Sequence, residues 1–128
     1  MATFKLMGVE IPLAYTIGAK KELLEAFGNA DKLQAAFLVE SDIELAENAA
    51  RIGSIMAKAE LVRQKAQQAL LGTEVTARAI PFEDLFALLD ISSTLELIEA
   101  ISSTIREANK TTIQTQDDNG KKAEATQG

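Results

Sequence analysis

The sequence predicts a mainly α fold, with an N-terminal β-hairpin packed on a bundle of about four to five helices and a disordered C-terminal tail. Three features predict it. Apolar residues alternate near the start, where Phe4 and Leu6, then Val9, Ile11, Leu13 and Tyr15, follow the two-residue period of a sheet with one buried face. From Thr16 the apolar spacing lengthens to three and four residues, with helix start and stop signals around each run. From Asn109 the composition turns to Thr, Gln, Asp, Lys, Asn and Gly, with Ile113 the only large apolar residue. Such a segment buries too little to offset the entropy of ordering it. The chain accordingly divides into a hairpin-plus-helix domain over 1–108 and a polar tail over 109–128.

The elements follow in order. Strands are expected over 3–7 and 9–15 with Gly8 in the turn, and Pro12 marks an edge because it cannot donate to a ladder. Thr16 is an N-cap for a helix whose stripe is Leu23, Leu24 and Phe27, with Gly28 as its stop. A short helix over 30–39 presents Leu33, Ala36, Phe37 and Val39. Ser41 with Glu44 forms a capping box for the longest helix, 42–71, which contains no proline and stops at Gly72. That helix is about eight turns, or ~45 Å. Its seam reads Leu45, Ala49, Ile52, Met56, Ala59, Ala66 and Leu70, broken at Arg63, and Gly53 admits a neighbouring helix at close range. Glu47 and Arg51 have the spacing of an i,i+4 ion pair. After a polar linker, Pro81 opens a strongly apolar helix over 81–89. Ser93 with Glu96 is a further capping box, and the last helix runs to about Ala108, burying Leu95, Leu97, Ile98, Ile101 and Ile105.

Composition excludes much chemistry. The 128 residues include no cysteine and no histidine, which removes disulfides, thiolate nucleophiles, the commonest general base and the commonest zinc ligand. A net charge of −6 leaves no cationic excess for nucleic-acid phosphates or an anionic membrane surface. No apolar run approaches the ~20 residues of a membrane span, and the N-terminus lacks the apolar region of a signal peptide. The expected compartment is the cytoplasm. The glycines form no phosphate loop. Glu83 with Asp84, and Glu96 with Glu99, are paired carboxylates, but acids in a first helical turn complement the macrodipole and read better as structure. Ser102, Ser103 and Thr104 lie inside a helix with no base nearby in sequence, and read as an exposed face. The expectation is a protein without enzymatic activity, metal or cofactor.

What remains is protein binding. The Ala-rich long helix packs within the domain or against a second copy, and bundle physics favours the first. The segment 82–89 is too apolar for a helix with one wet face, so it is core or a docking surface. The candidate protein-binding surface is Phe82, Leu85, Phe86 and Leu89, with Ile52 and Met56 of the long helix.

The opening Phe4-Lys5-Leu6-Met7-Gly8-Val9-Glu10-Ile11-Pro12-Leu13, running through Tyr15-Thr16-Ile17-Gly18-Ala19 into a helix that ends in Phe27-Gly28, resembles the tail assembly chaperones of long-tailed bacteriophages and prophages. The resemblance extends in kind over 3–108 and is sharpest over 4–28. It implies a protein of the infected host's cytoplasm that binds and solubilises the helical tape measure protein, promotes polymerisation of the tail tube protein, and is absent from the mature virion. It also implies a frameshifted longer product in some members, and Gly120-Lys121-Lys122 is compatible with a slippery tract. Self-association stays open. The alternative reading is a structural head–tail connector or tail completion protein of the virion.

Overall fold

The computed structural model describes residues 3–120, with side chains through residue 110. Strands β1 (Thr3–Leu6) and β2 (Val9–Pro12) pair antiparallel with Phe4 opposite Ile11 and Leu6 opposite Val9. Met7 and Gly8 close the hairpin with φ of 53° and 80°. Two successive positive φ values match the right-handed twist of the flanking strands. Phe4, Leu6 and Ile11 are buried as the alternation predicts, but Val9 overhangs the turn end and is 40% exposed. The second strand stops at Pro12 rather than Tyr15, because proline has no N–H to continue the ladder. Ala14 instead donates its N–H to the Met56 carbonyl, tying the hairpin's exit to the long helix.

The helices start and stop on local chemistry. Thr16 accepts from the Ala19 N–H to cap α1 (Ile17–Phe27), and Gly28 ends it at φ 101°. Asn29 caps α2 (Ala30–Gln34) through the Lys32 N–H, and the segment tightens into a 3-10 turn, Ala35–Phe37, instead of one helix to Val39. Helix α3 (Asp42–Leu71) begins at Ser41, which accepts from the Glu44 N–H, and ends at Gly72 in the left-handed conformation. Helix α4 (Phe82–Leu88) has Pro81 at its N-cap, one residue earlier than the first helical position. Helix α5 (Ile91–Gly120) begins before Ser93 because Asp90 wins the cap. The Ser93 N–H donates to Asp90 Oδ1 at 2.8 Å and the Asp90 N–H to Ser93 Oγ at 2.9 Å, a reciprocal box that pre-empts the one expected at Glu96. The α5 backbone also continues past Ala108 to Gly120. No proline or glycine interrupts it before that point, and each further residue adds one helical hydrogen bond. Residues 121–128 of the expected tail, with Lys121 and Lys122, lie outside the described residues.

Helix α3 is the axis of the domain. Against it pack α1, α4, α5, β2 and the 3-10 turn. Its buried face is Ala49, Ala50, Ile52, Gly53, Met56 and Ala57, met by Leu23 of α1, Leu85 of α4, and Leu97 and Ile101 of α5. The small residues let these helices approach closely, and a Cβ placed on Gly53 would stand 3.1–3.2 Å from Leu97 and Leu85 methyls. The seam read through Ala66 and Leu70 ends earlier. Burial on α3 stops at Glu60, and Leu70 is 83% exposed, because the helix outruns the elements packed around it.

Glu60 itself is fully buried. Its carboxylate receives Arg63 Nε at 2.8 Å and Nη2 at 2.6 Å, and Gln64 Nε2 at 2.7 Å. Arg63 thus breaks the apolar seam in order to satisfy an inward-facing acid. Burial pushes the Glu60 carboxyl up, but the Arg63 and Gln64 hydrogen bonds and the Arg63 charge outweigh it and hold the group below the usual carboxylate range. Gln64 Oε1 then accepts from the Thr76 and Ala77 N–H groups at 2.8 and 3.0 Å, so one side chain fastens the interhelical linker onto α3. The linker's far end is held by Ser54 Oγ, which donates to the Ile80 carbonyl at 2.7 Å.

Candidate functional site

The short α4 forms a ridge between two apolar troughs. Leu85 anchors it, filling the notch over Gly53 beside Leu97. Phe82 and Phe86 are half-buried and stacked, with ring centroids 5.7 Å apart, and the Arg51 guanidinium lies 5.2 Å above the Phe82 ring. Arg51 is held there by the ring quadrupole, and the ion pair expected with Glu47 is not formed among the described residues.

The first trough, about 450 Å³, runs between the hairpin and α4 and is lined by Leu6, Val9, Ile11, Ile80 and Leu88. The second, about 580 Å³, lies where the end of α4 meets the starts of α3 and α5. Ile43, Leu45, Phe86, Leu89, Ile91 and Leu95 line it, with Asp42 and Asp90 on its rim. Ile43 is 69% exposed, Ile91 66% and Leu95 56%. Together they leave an exposed apolar patch at one end of the trough. Acidic residues predominate around this second trough, with the Arg51 guanidinium over Phe82 as the cation beside it. Residues 39–50 and 81–99 hold nine of the chain's 19 acidic residues and none of its 13 basic ones. Asp90 is fixed as an anion there, since the Ser93 N–H and then its hydroxyl hold the carboxyl below its ordinary range.

The six residues read from the sequence as a binding surface divide. Phe82, Phe86 and Leu89 are partly exposed, and the latter two line the second trough. Leu85, Ile52 and Met56 are 1%, 2% and 0% exposed and belong to the core. Helical spacing shows that they face inward but cannot show that α4 and α5 close over them. Conversely, Leu95, expected inside, faces out, because the start of α5 extends past the point where α3 covers it. Ile43 and Ile91 were legible only as apolar residues off the main stripes, while Val9 belongs to the strand stripe and is left open at its turn end.

Thr94 stands behind the second trough, 3% exposed, with a hydroxyl that has no hydrogen-bond partner among the described residues. A buried, unpaired hydroxyl costs about 1–3 kcal/mol. Thr94→Val, which keeps the shape and deletes the hydroxyl, is expected to raise stability by about 1 kcal/mol, measured as the shift in a urea unfolding midpoint.

The other sequence candidates lie apart from the second trough. Glu83, Asp84, Glu96 and Glu99 are all exposed. Among the described residues no three acidic side chains gather into a group that could hold a metal ion. Thr104 is buried rather than exposed, and its hydroxyl donates to the Ala100 carbonyl at 2.8 Å within the helix. No helix among the described residues is long and apolar enough to cross a membrane. Comparison with protein-family models, with curated proteins and with solved structures gives no match to this chain.

Proposed function

We propose that the protein is a non-enzymatic, helix-binding chaperone, and specifically a phage tail assembly chaperone. In the host cytoplasm it holds the tape measure protein soluble, promotes polymerisation of the tail tube protein around it, and leaves before the virion is complete. The observation that carries this reading is the acid-rimmed trough at the end of α4, with Ile43, Ile91 and Leu95 open to solvent. A long helical protein exposes apolar stripes that aggregate unless covered. A trough of this kind takes such a stripe in the helix-in-groove manner, with side chains at i, i+3 and i+7 as anchors.

The test is co-expression with a tape measure protein. The long protein is expected to be soluble and to co-purify only when this chain is present. The double substitution Ile91→Lys with Leu95→Lys, at exposed positions, is expected to abolish that effect while leaving the thermal midpoint within a few degrees of the parent. Unchanged solubility and no co-purification would remove the reading. Finding the chain in purified particles at a ring-sized copy number would replace it with the connector.

A further inference from the structure

A third trough, on another part of the surface, carries the opposite charge. It lies between α1, α2, the 3-10 turn, α3 and α5, and has a volume of about 550 Å³. Ile52 and Ile101 form its floor, and the half-buried Leu24, Leu33, Phe37 and Ile105 its walls. Its charged lining residues are Lys20 and Arg106, both exposed, with no acid among them. Lys110 follows Arg106 by one turn of α5. Arg106 reaches Glu99 only at 3.8 Å, with both side chains largely in water, so that pair holds it weakly. In a chain of net charge −6, an apolar trough whose charged lining residues, among the described ones, are both cationic is a local reversal of sign.

We infer that this trough binds an amphipathic helix whose apolar stripe is flanked by Asp and Glu, while the second trough, with Asp42 and Asp90 on its rim, takes one flanked by Lys and Arg. The inference rests on the helix-binding reading above and assigns it two sites of complementary specificity. Like charges across an interface cost affinity and opposite ones steer association, so each rim rejects the helix that the other accepts. The half-exposed walls favour a helix over a small amphiphile, because sites for small ligands bury most of the ligand's surface. These walls form an open channel suited to side chains projecting from a rod. A client with alternating charge blocks would be held at two points, and one tether raises the effective concentration of the other.

The chain supplies its own reporter. Its single tyrosine, Tyr15, lines the cationic trough, and it has no tryptophan. Two synthetic helices with the same leucine stripe and no aromatic residues, one flanked by Glu and one by Lys, are titrated into the intact protein. The Glu-flanked helix is expected to change Tyr15 emission and to bind less tightly as salt rises. Lys20→Glu with Arg106→Glu should weaken it by about tenfold or more and leave the Lys-flanked helix unaffected. Ile91→Lys with Leu95→Lys should do the reverse. The inference is overturned if the Glu-flanked helix fails to bind, if the two helices compete for one site, or if laurate saturates the Tyr15 signal where neither helix does. If the helices bind as stated but the tape measure protein is not solubilised, the phage assignment alone falls. If the tape measure protein is solubilised and the Glu-flanked helix does not bind, the second site alone falls.

Discussion

Arg63→Ala is expected to destabilise the protein by about 3 kcal/mol, the lower end of the range for stranding one member of a buried ion pair. The cost arises on Glu60, which is fully buried and keeps only the Gln64 amide as a partner once Arg63 is gone. Arg63 is 37% exposed, so in the reciprocal variant Glu60→Gln the guanidinium finds water and the amide oxygen still accepts from it. That variant should cost only about 1–2 kcal/mol. The asymmetry has a pH signature. In the parent the Glu60 carboxyl is held below its ordinary range, so its contribution is complete above the unfolded-state value and is lost as pH falls through the lower folded-state value. Without Arg63, burial pushes the carboxyl up, and the cost of the buried anion is present at neutral pH and relieved by protonation. Urea unfolding of parent and Arg63→Ala should therefore show a gap that narrows between pH 7 and about pH 5. A gap that is constant with pH would mean that Arg63 acts through packing alone.

Gly53→Val is expected to cost about 2–3 kcal/mol. The first carbon added already meets three leucine methyls at 3.1–3.2 Å, from Leu97 and Leu85, and the two branches beyond it have no room without moving α4 or α5. Gly53→Ala is the informative companion. It gains roughly 1 kcal/mol of helix propensity, and the atoms it crowds are the ends of flexible side chains, so its net effect is expected to be small. Combining Gly53→Val with Leu85→Ala should recover part of the loss, since the second change clears the space that the first invades. Thermal melts of the four proteins in this cycle give the coupling directly. Strict additivity would show that α4 does not sit in the Gly53 notch.

Most boundaries were legible because they are set by neighbours in sequence. Ser41 and Gly72 bracket α3, Thr16 and Gly28 bracket α1, and two positive φ values suit Gly8 in the turn. The start of α5 was misread because two capping boxes overlap, and only the fold shows that Asp90 is in place to close the earlier one. The candidate site was half legible. Phe86 and Leu89 stood out as excess apolar residues, but Ile52 and Met56 look the same in sequence as a docking stripe until the helices that cover them are placed. The burial of Glu60 had no signal except the seam break at Arg63, which on a helix of that length reads equally well as solvent-facing. The cationic trough had none, because Lys20 and Arg106 are 86 positions apart and meet only through packing.

The clasp at Gln64 ties together two movements that would otherwise be independent. Its oxygen takes the Thr76 and Ala77 amides while its nitrogen serves Glu60, so unwinding α3 near that residue frees the linker leading to α4 in the same event. Amide exchange should therefore show Thr76 and Ala77 opening with the same free energy and the same denaturant dependence as the end of α3. The far end of the linker, held by Ser54 at Ile80, and α4, seated by Leu85 over Gly53, would keep their own protection in that event.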